Sequence, residues 1–441
     1  MRKLLSILFL CVLSLSGYAQ KRDFAQLSEY LEKLEAHDRF MGSVSLSQNG
    51  EMLFAKSVGY ADKEAGLKST MDTKYRIGSI SKMFTSAMIL MAEEENKLEL
   101  DQTLEAFFPK LDRAGDITIS NLLNHRSGIP NFTNDPSYLS WHTEYKSRED
   151  LLKIIQKGKS EFAPDSKGDY SNSNYLLLTF ILEDIYKKPY AEILKEKITG
   201  PLDLQNTSVF GKTDPKKNES YSYKFVSNNW KKEQETDASI PLGAGALIST
   251  PKDLITFIEA LFAEKLISAE SLAKMMDIRE NYGRGMFRFP FDDKAGYGHG
   301  GGIDGFTSML SYFPEEKLAF VMTSNGSNYN SNNIAIAALS NYFGRPFAMP
   351  KFNNISLSSE DLQQYVGTYT TDQLPLQIVI TSKDDKLYAQ ATGQEQFGLD
   401  AIDTHEFEFT TAGVVMVFTP EENKMLLKQG GQNYRFVKNE K

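Results

Sequence analysis

The stretch 79–93 leaves the chain few ways to fold. Ile80, Met83, Phe84, Ala87, Met88 and Leu90 crowd this segment until little polar surface remains. A helix apolar on nearly every side is stable only when other elements enclose it. It nevertheless carries Lys82, whose charge is penalised by burial. The fold must therefore wrap a helix that keeps an amine in its interior.

The flanking segments suggest what does the wrapping. Phe24, Leu27, Leu31 and Leu34 recur at helical spacing. Alternation in Val44-x-Leu46 and Met52-x-Phe54, on either side of Asn49-Gly50, predicts a hairpin. Helices are expected at 151–155 and 176–185 and after Thr250-Pro251, where Leu254, Phe257, Ile258 and Leu261 share a face. Strands return at 307–313 and 318–323, and a last helix follows at 334–343. Strands at both ends with helices between predict an α+β plan, one sheet assembled from distant segments plus a helical insertion. Past Arg345-Pro346 short strands are expected at 376–380, 387–390, 407–409, 414–418, 425–427 and 434–437. They read as a separate small antiparallel β-domain or half-barrel.

The N-terminus reads as an export signal: Arg2 and Lys3, an apolar stretch from Leu4 to Leu15, then Gly17-Tyr18-Ala19. The expected division is a signal peptide over 1–19, a catalytic domain over 20–345 and a β-domain over 346–441. Removing 1–19 takes away two cations and no acids, so the formal charge of −9 becomes more negative. With no basic stripe, neither nucleic acid nor an anionic membrane is an expected partner. No other long apolar run is present, so stable membrane insertion after signal removal is not expected. Cys11, the single cysteine, lies within the signal, which excludes disulfides, thiol catalysis and cysteine-ligated zinc from the mature chain. Export without disulfides fits a bacterial periplasm or exterior.

The chemistry-bearing residues fall into three ordered groups. Ser79-Ile80-Ser81-Lys82 puts an amine one helical turn from a hydroxyl. A serine needs a neighbouring base to attack a carbonyl, and burial favours the neutral amine that can be one. The motif alone is weak, since Ser249…Lys252 and Ser271…Lys274 also match. The first reads as a helix cap and the second as a charged surface helix. Next, Asp169-Tyr170-Ser171-Asn172 precedes an apolar run; it reads as a proton relay at Tyr170 with a substrate-facing amide at Asn172, or as a polar loop capping a helix. Finally, Gly298-His299-Gly300-Gly301-Gly302-Ile303-Asp304 stands before a strand and by itself reads as a glycine-rich turn. His37, His125, His142 and His405 are isolated in sequence, read as surface or loop histidines, and no metal or cofactor is expected. Glu93-Glu94-Glu95 reads as the solvated end of the apolar helix.

In this order the three groups resemble the serine β-lactamase and penicillin-binding-protein superfamily, and within it the branch related to class C β-lactamases. The resemblance covers about residues 40–345, including Leu122-Leu123-Asn124-His125-Arg126-Ser127-Gly128 and Gly245-Ala246-Leu247-Ile248-Ser249-Thr250. The C-terminal strands are similar to the lipocalin-like domain that follows such hydrolases. The resemblance implies a β-lactamase/transpeptidase-like fold, with Ser79 as acylated nucleophile, Lys82 as its base and Tyr170 as second base and acid. It further implies Asn172, His299, Gly300 and Gly301 as substrate contacts, with the backbone N–H groups of Ser79 and Gly302 as oxyanion hole. One element departs: His299-Gly300-Gly301 stands where β-lactamases carry Lys-Thr-Gly. That replaces a fixed charge with a group that ordinarily titrates near neutrality. On this reading Michaelis constants for carboxylate-bearing substrates rise between about pH 6 and 8. The expectation is a hydrolase of small esters or D-amino-acid peptides; the alternatives are a β-lactamase or D,D-carboxypeptidase, and a non-hydrolytic sensor on the same fold.

Overall fold

In a computed structural model, residues 22–226, 229–352, 355, 357–409, 412–430 and 432–439 are described. The export segment 1–19, with Cys11, lies outside them. The main sheet is six-stranded and antiparallel, in the spatial order 287–291, 294–303, 306–313, 318–327, 40–48, 51–58. Phe40–Gln48 and Glu51–Val58 form the expected hairpin, with Asn49 and Gly50 both at positive φ (52° and 80°), as a two-residue turn between twisted strands requires. Phe40–Gln48 then pairs with Leu318–Ser327, so the two ends of the catalytic unit are joined at the sheet centre.

Each face of the sheet buries its own helices. Along Leu318–Ser327, Leu318, Phe320 and Met322 join one core with the helices Ala25–Ala36 and Ser331–Phe343. Ala319 and Val321 point into the other, with Ser81–Glu94, Asn172–Tyr186 and Pro251–Phe262. This two-residue alternation separates the cores. The apolar helix Ser81–Glu94 is enclosed as expected: every residue from Ser81 to Ala92 is buried, Lys82 included.

The glycine-rich segment is a strand, Lys294–Ile303, rather than a turn. A Cβ on Gly298 would sit 1.9 Å from the Leu310 carbonyl oxygen, and one on Gly301 2.0 Å from that of Ile77. Gly298 and Gly301 are there because neighbouring backbones press against the strand, a tertiary demand invisible to local propensity.

The C-terminal strands close into an eight-stranded antiparallel barrel. Six were expected; Gly367–Thr370 and Phe397–Asp403 complete it. The first joins Gln377–Lys383 to Gln432–Lys438 and so removes both sheet edges. Tyr365, Tyr369, Phe407 and Phe418 pack ring against ring inside.

Candidate active site

Ser79 sits on a single 3-10 turn, Gly78–Ile80, that runs into Ser81–Glu94. Two features hold the turn. Ser81 Oγ donates to Gly78 O at 2.7 Å and accepts from Leu247 N at 3.1 Å. Gly78 has φ +50°, and a Cβ there would lie 2.7 Å from Gly302 N. Glycine is therefore needed twice over, for the dihedral and for the approach, and it sets the Ser79 turn against the strand carrying Gly302.

Lys82 reaches back beneath Ser79. Its Nζ donates to Asn172 Oδ1 at 2.7 Å and to Ala244 O at 2.6 Å, and stands 3.0 Å from Ser79 Oγ. Burial, with no carboxylate partner, pushes the amine well below its ordinary pKa. A neutral amine has two N–H bonds and one lone pair. Nζ has three partners; in the neutral form two N–H bonds serve Asn172 and Ala244 and the lone pair is left for the Ser79 hydroxyl. Tyr170 Oη donates to Ser79 Oγ at 2.8 Å, which leaves the serine proton free to point at Lys82. Burial raises the Tyr170 phenol well above its usual range, so it stays protonated.

Tyr170, Asn172, Lys82 and Ser79 thus come together; His37 and His405 are exposed as expected, while His299 and His125 are buried. His299 is 3 % exposed, packs on Phe287 at 4.5 Å between ring centroids and engages Gly300 O through Nδ1. Burial first, then the nearby Lys82, lowers its pKa to about 3. The expectation of a ring titrating near neutrality is corrected: it is neutral throughout the physiological range. Michaelis constants for a carboxylate-bearing peptide should accordingly be flat from about pH 5 to 8. A transition near pH 6.5 that disappears in His299→Gln would contradict this.

His125, expected at the surface or in a loop, lies in a turn but is 2 % exposed and packs against the Tyr170 ring at 4.4 Å. Its Nδ1 accepts Ser171 N–H at 3.2 Å, and burial holds the imidazole well below its ordinary pKa. The Leu122–Gly128 motif contains it, but its role was not legible because its side-chain partners lie more than forty residues away. Ala244 O also escaped notice, since a backbone acceptor has no sequence signature. The decoys resolve as structural. Thr250 caps Pro251–Phe262, while Ser271 and Lys274 bond Glu94 and Glu93 at the end of the apolar helix.

A cavity of about 660 Å³ opens over Ser79, with Asn172, Tyr138, Ala244 and Gly302 in its wall. A larger groove of about 1210 Å³ holds none of the catalytic candidates. Gly302–Asp304 line the site cavity; His299, Gly300 and Gly301, expected as substrate contacts, are not among its lining residues. Lys224 is the one lysine or arginine among the described lining residues, and it is bound to Glu233 at 2.7 Å. Asp304 is tied to the buried Arg76 at 3.1 Å. Among the described residues, no cluster of three or more His, Cys, Asp and Glu is placed to hold a metal ion.

The Beta-lactamase family model matches residues 27–348. Penicillin-binding protein 4* of Bacillus subtilis (strain 168) is 25% identical over 431 residues, 90% of this chain and 94% of that protein. Teichoic acid D-alanine hydrolase of Staphylococcus aureus is 29% identical over 245 residues; the match spans 56% of this chain and 59% of the hydrolase. The octameric penicillin-binding protein homologue from Pyrococcus abyssi shares the fold at TM-score 0.68 and 24% identity, covering 94% of this chain and all of that one (100%). D-amino acid amidase from Ochrobactrum anthropi SV3 does so at TM-score 0.64 and 23% identity, over 73% of this chain and 99% of the amidase. With most of its length inside the family model, the chain belongs to the Beta-lactamase family and is a serine hydrolase.

Proposed function

We propose that the protein is an exported hydrolase that works through an ester on Ser79 and cleaves esters or amides of D-amino acids. The observation that carries this is the geometry at Ser79: Tyr170 Oη donates to Oγ at 2.8 Å, and the buried Lys82 Nζ lies 3.0 Å from the same oxygen. Lys82 takes the serine proton as Oγ attacks the carbonyl carbon. The N–H groups of Ser79 and Gly302 receive the oxyanion. The proton passes through Tyr170, which gives up its own as it gains another, to the departing alcohol or amine. Water then attacks the seryl ester and passes a proton through Tyr170 to Ser79 Oγ as that oxygen leaves, which releases the acid and restores the serine. Asn172 steadies Lys82 through Oδ1, while Nδ2 donates to Thr133 at 3.1 Å.

The substrate class rests on the cavity's charge and on the relatives. A penicillin or a D-alanine-terminated peptide presents a carboxylate. The described lining offers it neither an unpaired lysine or arginine nor a charged His299. Esters and amides need no such cation, and one relative acts on D-alanine in teichoic acid, as its name states. Export rests on residues 1–19; recovered protein whose intact mass retains them would remove it. For the chemistry, D-alanine methyl ester, its L isomer, a D-Ala-D-Ala peptide and nitrocefin should be compared. The D ester is expected to lead by at least about tenfold in kcat/KM, a difference of about 1.4 kcal/mol. Faster turnover of nitrocefin or of the dipeptide would overturn the substrate class, and equal use of the L ester would overturn the D preference.

A further inference from the structure

The Leu122–Gly128 segment is not consumed by the chemistry above, yet its histidine addresses three consecutive residues of the tyrosine loop. The carbonyl oxygen of His125 accepts Asp169 N–H at 2.9 Å. Its Nδ1 accepts Ser171 N–H at 3.2 Å. Between these two bonds the imidazole lies on the Tyr170 ring, 4.4 Å between centroids at 34°, with Tyr282 beside both rings, 5.4 Å from the imidazole and 6.4 Å from Tyr170. Ser171 Oγ is buried with no partner, so the serine side chain contributes nothing to holding the loop.

We propose that His125 is a positioning residue that fixes the height and tilt of Tyr170 so that its hydroxyl meets Ser79 Oγ. The inference rests on the relay assigned to Tyr170. The residue must supply a flat ring for stacking, an acceptor at the δ position, and tolerance of φ +58°. Histidine is among the residues enriched at positive φ, and accepting at Nδ1 places its proton on Nε2. A phenol swung on a shifted loop misses its target by a fraction of an ångström, and misplacement of 1 Å can cost about a hundredfold in rate.

The test is a double-mutant cycle on the full chain with a D-amino-acid ester. His125→Ala is expected to lower kcat by about 10- to 100-fold with KM within about twofold. His125→Asn, which keeps a δ acceptor and accepts positive φ, is expected to recover part of the loss. His125→Phe keeps the ring but not the acceptor. If the alanine variant does not fold, these two carry the comparison. Combined with Tyr170→Phe, any of the three should add nothing to the loss from Tyr170→Phe alone. Additive losses, or a wild-type kcat in a folded His125→Ala while Tyr170→Phe is impaired, would overturn the positioning role. A wild-type kcat in Tyr170→Phe would instead remove the relay on which the proposal stands.

Discussion

Lys82→Met is expected to lower kcat/KM by roughly 10²- to 10⁴-fold, the range lost with a general base, while the melting temperature stays level or rises. The two effects have one origin. An amine with 0 % exposure is held in the interior without a carboxylate, which opposes folding. Methionine fills similar volume without that penalty. Asn172 Oδ1 and Ala244 O lose their donor, at about 1–3 kcal/mol each if left dry. The Asn172 bond is only part-buried and Asn172 lines the open cavity, so the cost falls mainly on Ala244 O. The sign with pH follows from linkage. The folded-state pKa of Lys82 is depressed, so between that value and about 10.4 the unfolded chain binds a proton the native one lacks. The penalty is complete below the folded-state pKa and vanishes above about 10.4, so the stability advantage of Lys82→Met should shrink as pH rises. Melting curves at several pH values check this. A constant advantage, or a variant less stable than wild type at every pH, would show that Lys82 is not buried as a neutral amine.

Ser79→Ala is expected to bring ester hydrolysis down by at least about 10⁴-fold, and adding Lys82→Met should make it no worse. Groups that act as one unit are strongly non-additive: once the nucleophile is gone, its base has nothing to deprotonate. Steady-state rates of the two single variants and the double variant check this. If the losses instead multiply, Lys82 serves a step that does not pass through Ser79, and the relay Lys82–Ser79–Tyr170 is wrongly drawn.

Features whose causes are local could be read in the sequence. Asn49-Gly50 fixed its hairpin through turn chemistry, and the apolar face of Ser81–Glu94 required enclosure. Ser79, Lys82, Tyr170 and Asn172 were singled out by the order of three short motifs and the resemblance that order carries, and the fold brings the four side chains together. What stayed hidden was set by distant partners. Lys294–Ile303 looked like a turn because its glycines answer to Ile77 and Leu310, not to their own neighbours. His125 looked like a loop histidine because Tyr170 and Ser171 reach it only in the folded chain. His299 looked titratable because burial, the main cause of its lowered pKa, is a property of the fold. Phe397–Asp403, where Gly398 and Asp400 are poor strand formers and the register slips between Ala401 and Asp403, emerged as a strand only through pairing on both sides.

The covalent step at Ser79 is tested most directly by intact-mass and peptide analysis after exposure to a fluorophosphonate, with wild type and Ser79→Ala in parallel. One equivalent of adduct on the peptide bearing Ser79, absent from Ser79→Ala, is the predicted result. A wild type that remains unlabelled, or a Ser79→Ala that labels equally well, would contradict it.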